Sequence, residues 1–191
     1  MVRAFIAVEI ENMDVLSRII KMRDQIVSTG ADIKPVEDEN IHLTIRFLGE
    51  FPESDLSIVQ SALEGLRDLK SFNIHITGLG AFPNIIRPRV IWVGVSEGSD
   101  RLKSIRSMID KGLRGGRFHR DQHEFSPHIT LARVRSARNV DRLVELLNSY
   151  RDHDFGWSPV TRIVVKRSTL TPRGPIYNDI MRVNLVESRS T

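Results

Sequence analysis

Ile41-His42-Leu43-Thr44-Ile45-Arg46-Phe47-Leu48-Gly49 is the stretch that decides how this chain is read. It is an apolar, β-branched run broken by His, one residue, then Thr. In an extended strand alternate side chains share a face, so His42 and Thr44 stand side by side. The same pattern recurs in Pro127-His128-Ile129-Thr130-Leu131-Ala132-Arg133-Val134. A polar pair inside a strand pattern is a break in consistency, and such breaks are where function is expected. Two strands of this kind, facing each other across a cleft, would present two histidines to one substrate.

The flanking sequence supplies the elements that such strands need. Residues 3–10 read as a first strand. Met13, Leu16, Ile19 and Ile20 recur at helical spacing, with Asn12 or Asp14 as cap, and predict a helix over 12–28. A second helix is expected over 54–70, capped by Ser54, with Leu56, Val59, Leu63, Leu66 and Leu69 on one face. Strands follow at 72–80 and 89–95, then a helix over 99–113 that Gly115-Gly116 stops. The second His-x-Thr strand precedes a helix at 137–150. A strand at 160–168, a turn at 169–175 and a strand at 176–185 close the chain, with the last six residues frayed. A His-x-Thr strand followed by a helix thus occurs twice. This predicts an α+β fold of two similar lobes with antiparallel sheets facing a central cleft. Long linkers are absent, so residues 1–191 are read as one bilobal domain.

Composition limits the chemistry. There is no cysteine, which excludes disulfides, thiolate metal sites and cysteine nucleophiles. No apolar run reaches the ~20 residues that span a bilayer, and Glu9 interrupts the apolar N-terminus, which reads as a strand rather than a signal peptide. A cytoplasmic monomer without membrane contact is expected. The net charge of +4 is a mild excess that serves solubility or attraction to polyanions such as RNA, and charge alone does not decide between them.

Histidine can give or take a proton near neutrality. Two on one substrate can divide the work, one activating water and the other protonating a leaving oxygen. The hydroxyls of Thr44 and Thr130 suit the two free oxygens of a phosphodiester, with an arginine to meet the developing charge. Strict alternation puts Arg46 on the face of His42 and Thr44, and Arg133 opposite His128. Phe82, on a loop beside Pro83, is a better base-stacking candidate than Trp92. His119-x3-His123, with Asp121 and Glu124, has the composition of a metal site but lies in a polar, Arg-rich loop; no metal and no cofactor are expected. His75 reads as a strand surface residue and His153 as a loop residue. The helix face carrying Arg101, Lys103, Arg106, Lys111 and Arg114 is basic.

The paired motifs resemble those of the 2H phosphoesterase superfamily, and within it the LigT/ThpR-type RNA 2′,3′-cyclic phosphodiesterases, also called the 2′-5′ RNA ligase family. Arg3-Ala4-Phe5-Ile6-Ala7-Val8, Gly80-Ala81-Phe82-Pro83-Asn84, Arg87-Pro88-Arg89-Val90-Ile91-Trp92-Val93-Gly94-Val95 and Phe125-Ser126 before the second motif extend the resemblance over nearly the whole chain. It implies a pseudo-twofold bilobal fold with a basic cleft. It also implies hydrolysis of RNA or nucleotide 2′,3′-cyclic phosphate ends to a 2′-phosphate. His42 would be the proton donor and His128 the acceptor, with Thr44, Thr130 and Arg133 at the phosphate. Arg133 serves only if its strand bends or its long side chain curls round, and Arg46 is the second candidate cation. The alternatives are 2′-5′ RNA ligation in the same site and an RNA-binding module without catalysis.

Overall fold

The structure, a computed structural model, describes residues 1–188. Nine antiparallel strands form one sheet: β1 (Val2–Val8), β2 (Ile33–Pro35), β3 (Leu43–Phe51), β4 (Phe72–Phe82), β5 (Val90–Val95), β6 (His128–Val134), β7 (Asp154–Val160), β8 (Arg162–Thr171) and β9 (Gly174–Asn184). Their order is β7-β4-β5-β6-β3-β1-β8-β9, with β2 beside the end of β6. The two His-x-Thr strands are therefore the central neighbours of that path, with β7, β4, β5 and β6, joined by β2, on one side of the seam and β3, β1, β8 and β9 on the other.

That seam is thin. β3 and β6 share one registered pair, Leu43 with Ile129. Beyond it β6 takes up β2 instead, through Ile33, Lys34 and Pro35. The sheets expected to face each other are thus two halves of one curled sheet, hinged where the motifs meet.

Four helices cover one face: α1 (Met13–Ser28), α2 (Leu56–Glu64), α3 (Ser99–Gly112) and α4 (Val140–Ser149). α1 starts where Asn12 Oδ1 accepts from the Asp14 and Val15 N–H groups, and it buries Val15, Ile19, Met22 and Ile26. These pack with Val2, Ala4, Ile6 and Val8 of β1 in the main core. The uncovered face has a small apolar cluster of its own, formed by Phe5, Ala7 and Val164 with Tyr177 packed on it.

Three expectations change. α2 is shorter than its apolar periodicity suggests, and Ser54 does not cap it. Asp55 stands at its start, but that carboxylate accepts from the Arg117 N–H and guanidinium. β7 is absent from the sequence reading, because Gly156 and Pro159 are strand breakers. They are tolerated because β7 is the last strand on its side, and Gly156 sits at φ 109° beside a register shift. Val186, expected to fray, bridges to Lys70; residues 189–191 lie outside the described residues.

Candidate active site

Each histidine is anchored in the same way. His42 Nδ1 lies 2.6 Å from the Asn40 carbonyl, and His128 Nδ1 lies 2.6 Å from the Ser126 carbonyl. A carbonyl only accepts, so Nδ1 carries the hydrogen and the Nε2 lone pair is left for chemistry. His42 Nε2 is 2.8 Å from Thr44 Oγ1, from which it accepts in the neutral state. Extending the Leu43–Ile129 pair by one residue sets His42 opposite Thr130 and Thr44 opposite His128, which is a local twofold relation.

Aromatic rings hold both imidazoles. Phe5 stacks beneath His42 at 4.7 Å, and Tyr177 meets both rings edge-on. Phe82 meets His128 edge-on at 5.0 Å, with Trp92 behind it. Burial lowers the affinity of both histidines for a proton. His42 falls to about 4, helped by the positive charge of Lys166, and His128 is also lowered, with Arg133 adding to the effect.

Two bulges settle which cation faces the cleft. In β3, Ala7 pairs with Thr44 but Ile6 pairs with Arg46, so one residue is extra between Thr44 and Arg46. In β6, Trp92 pairs with Thr130 but Ile91 pairs with Ala132. Each bulge advances the alternation by one residue. Arg133 thereby returns to the face of His128 and Thr130, as the resemblance required. It is exposed, and among the described residues it has no ion pair. The same shift turns Arg46 away.

Arg46 therefore faces away from the cleft, contrary to the alternation argument. It is 7% exposed on the helix-covered face. Its Nε donates to Asp110 at 2.8 Å, Asp121 lies 3.4 Å from Nη1, and its other donors reach the carbonyls of Phe47 and His119. The carbonyl of the extra residue, Ile45, accepts from Arg106 of α3 at 2.9 Å. His119 thus serves through its backbone, and its side chain lies near Asp121.

Phe82 is half-buried between Trp92 and His128 and supports the imidazole instead of standing open. The open ring is Phe47, 51% exposed. Phe47 occupies the place in β3 that Arg133 occupies in β6, a face that strict alternation denies it. Tyr177 escapes the sequence reading too. Its position depends on the β8–β9 hairpin, which no local signal connects to the first motif. His75, read as a surface residue, bonds Asp154 at 2.8 Å and stacks on Trp157 at 4.5 Å.

A sequence profile described as the 2′-5′ RNA ligase superfamily matches residues 18–167. The chain is 42% identical over 173 residues to a protein of Aeropyrum pernix named RNA 2′,3′-cyclic phosphodiesterase, covering 91% of this chain and 98% of that one. It is 35% identical to a protein of the same name from Methanothermobacter thermautotrophicus, over 94% and 96% of the two chains. Among solved structures, TT0787 of Thermus thermophilus superposes with a TM-score of 0.80 at 28% identity, covering 98% of this chain and all of that one. Escherichia coli LigT, solved with 3′-AMP, superposes at 0.77 and 22% identity over 96% and 98% of the two chains, a likeness of fold.

Replacing Arg46 by Met should cost on the order of 2–3 kcal/mol of stability, because two partly buried carbonyls and part of two carboxylates lose their partner. Urea unfolding measures this, and the folded variant should keep its turnover within a few-fold; a large loss of turnover would restore Arg46 to the site. The depressed His42 value carries its own stability signature. That contribution is full above the unfolded value of about 6.5 and is lost as pH falls from there toward about 4. Between pH 7 and 4 the protein should therefore lose on the order of 3 kcal/mol more stability than its His42→Gln variant.

With the fold, the paired motifs and these relatives in agreement, the chain belongs to the 2′-5′ RNA ligase superfamily.

Proposed function

We propose that this protein hydrolyses RNA 2′,3′-cyclic phosphate ends to 2′-phosphates, with His42 and His128 as acid and base. The observation that carries the reading is the duplicated anchoring. Both histidines give Nδ1–H to a backbone carbonyl and keep Nε2 for the cleft, on neighbouring strands, each with a threonine two residues on. The curated relatives that cover nearly the whole chain take the name of this hydrolase, which favours hydrolysis over ligation or binding alone.

In the reaction, water attacks phosphorus and the P–O3′ bond breaks. His128 Nε2 takes the water proton, and protonated His42 gives its Nε2 proton to O3′, so the phosphate stays on the 2′ oxygen. Charge grows on the non-bridging oxygens, which Arg133 and the hydroxyls of Thr44 and Thr130 meet. Thr44 bonds the neutral His42 in the free protein. Once His42 is protonated its Nε2 no longer accepts, and the Thr44 hydroxyl turns to the phosphate. Phe47 offers its open ring to the terminal base, since stacking on an aromatic holds an unpaired base without reading its sequence.

Burial leaves both histidines neutral at pH 7 in the free protein. The productive form, with His42 protonated and His128 neutral, is then a minor species until the anionic substrate raises both values. The profile of kcat/KM should be bell-shaped with its maximum below pH 6.5, and that of kcat should peak at higher pH. A kcat/KM that keeps rising above neutral pH would exclude this scheme.

Hydrolysis of a 2′,3′-cyclic nucleotide, followed by chromatography with a strong chelator present, tests the chemistry itself. Wild type should be active, while His42→Ala and His128→Ala should each fall by about 10²- to 10⁴-fold. Full activity in either folded variant would refute the pair.

A further inference from the structure

Six cations of this protein have carboxylate partners: Arg23, Arg46, Arg106, Arg117, Arg162 and Lys166 form ion pairs. A different population gathers at one end of the His128 half, where β4 and β6 end and β5 begins. Lys34 pairs across strands with Arg133, and Val90 pairs with Arg133 from the other side. Arg89 N–H bonds the Phe82 carbonyl, and the Arg89 carbonyl accepts from Val134, which draws in the β4–β5 loop with Arg87. Arg135 and Arg138 follow, their backbones bonded to Asp32. All six cations are exposed, and among the described residues none forms an ion pair.

The magnitude separates this rim from ordinary surface charge. Against its six positive charges stands Asp32, which accepts from Ser136 Oγ at 2.7 Å. The rim thus holds a net +5 in a chain whose total is +4, so the remaining surface is close to balanced.

The same loop walls a hollow of about 860 Å³. Asn84, Ile85 and Ile86 form one side, and Arg151 with Asp152 the opposite side. Between them the six-membered ring of Trp92 lies flat on Gly80, where a Cβ would sit 2.4 Å from it. Trp92 connects the hollow to the site, since its ring stands 6.3 Å from that of His128. Its indole N–H is buried without a partner among the described residues, so what the ring offers the hollow is apolar surface. Ile86 is 78% exposed at the lip. The volume is in the range of small-molecule sites.

We propose that this arginine rim and the hollow beside Trp92 form a subsite for the nucleotides 5′ of the reacting end, holding their phosphates on Arg87, Arg89 and Arg135 and one base against Trp92. This rests on the reading that the site acts on RNA ends. Free arginines continuous with Arg133 suit a polyanion leaving the cleft, and an aromatic wall suits an unpaired base. A cyclic mononucleotide meets Arg133 but not Arg87, Arg89, Arg135 or the hollow, so the subsite selects chain length.

The test compares a tetranucleotide ending in a 2′,3′-cyclic phosphate with a 2′,3′-cyclic mononucleotide, in wild type and in the triple variant Arg87→Ala, Arg89→Ala, Arg135→Ala. Wild type should favour the tetranucleotide, and the ratio of the two kcat/KM values should fall at least about tenfold in the variant. Because the variant no longer neutralises three phosphates, the log–log salt dependence for the tetranucleotide should become shallower by about 2. A ratio that does not move while hydrolysis persists overturns the subsite alone. Loss of hydrolysis of both substrates in wild type overturns the reading of the site instead. In that event, tetranucleotide binding followed by fluorescence titration decides the rim: equal affinity in wild type and variant overturns it, and weakened, less salt-sensitive binding in the variant sustains it.

Discussion

One extra residue in each of two strands decides what the cleft contains. Without the bulges, β3 would present Arg46 beside His42, and β6 would turn Arg133 into the core. With them, Arg133 faces the cleft and Arg46 becomes a buried tie. A bulge leaves a backbone group outside the ladder, and that group must be satisfied elsewhere. The two halves meet the demand differently. The Ile45 carbonyl accepts from the Arg106 guanidinium, whereas the Leu131 carbonyl accepts from the Val36 N–H just beyond β2. The ion-pair cluster of Arg46, Arg106, Asp110 and Asp121 is thus how α3 holds the first bulge in place. The basic face of α3 is correspondingly less available for RNA than its composition suggests, because Arg106 is turned inward.

Much of this is legible in the sequence because it is local. The two His-x-Thr runs, their extended character and the helices that follow are all encoded in spacings of two to four residues. That two halves meet at the motifs follows from the repetition. What escapes is set by partners far along the chain. A bulge is a relation between strands, and nothing in Thr44-Ile45-Arg46 announces that Ile6 will pair with Arg46. β7 is hidden because its Gly and Pro are acceptable only at a sheet edge, and which strand is the edge is a global property. Tyr177 lies far from His42 in sequence and is brought in by a hairpin on the opposite side of β1.

The resemblance to a family raises one of these points without the structure. It implies Arg133 at the phosphate where strict alternation denies it, so either the strand bends or the side chain curls round, and the register shift in β6 shows the bend. A local pattern in disagreement with a functional requirement is therefore informative, since irregular backbone concentrates where side chains have to be re-aimed.

The near-symmetry of the halves explains why two histidines can share a site, and its imperfections explain how they can differ. The anchoring carbonyls match at 2.6 Å on each side. The supports do not. His42 sits on an apolar floor of Phe5 and Tyr177, close enough to Lys166 for that charge to disfavour its proton, while His128 has Arg133 on its own face. At the position after each bulge one half carries Phe47 and the other Arg133. A substrate with an apolar base at one end and an anionic phosphate at the other meets these two residues in only one orientation. Orientation in turn fixes which ester oxygen lies beside which imidazole. On the proposed function, the exchange of Phe for Arg between otherwise equivalent positions would direct the reaction toward one of the two possible phosphate products, a choice that a perfectly symmetric cleft could not make.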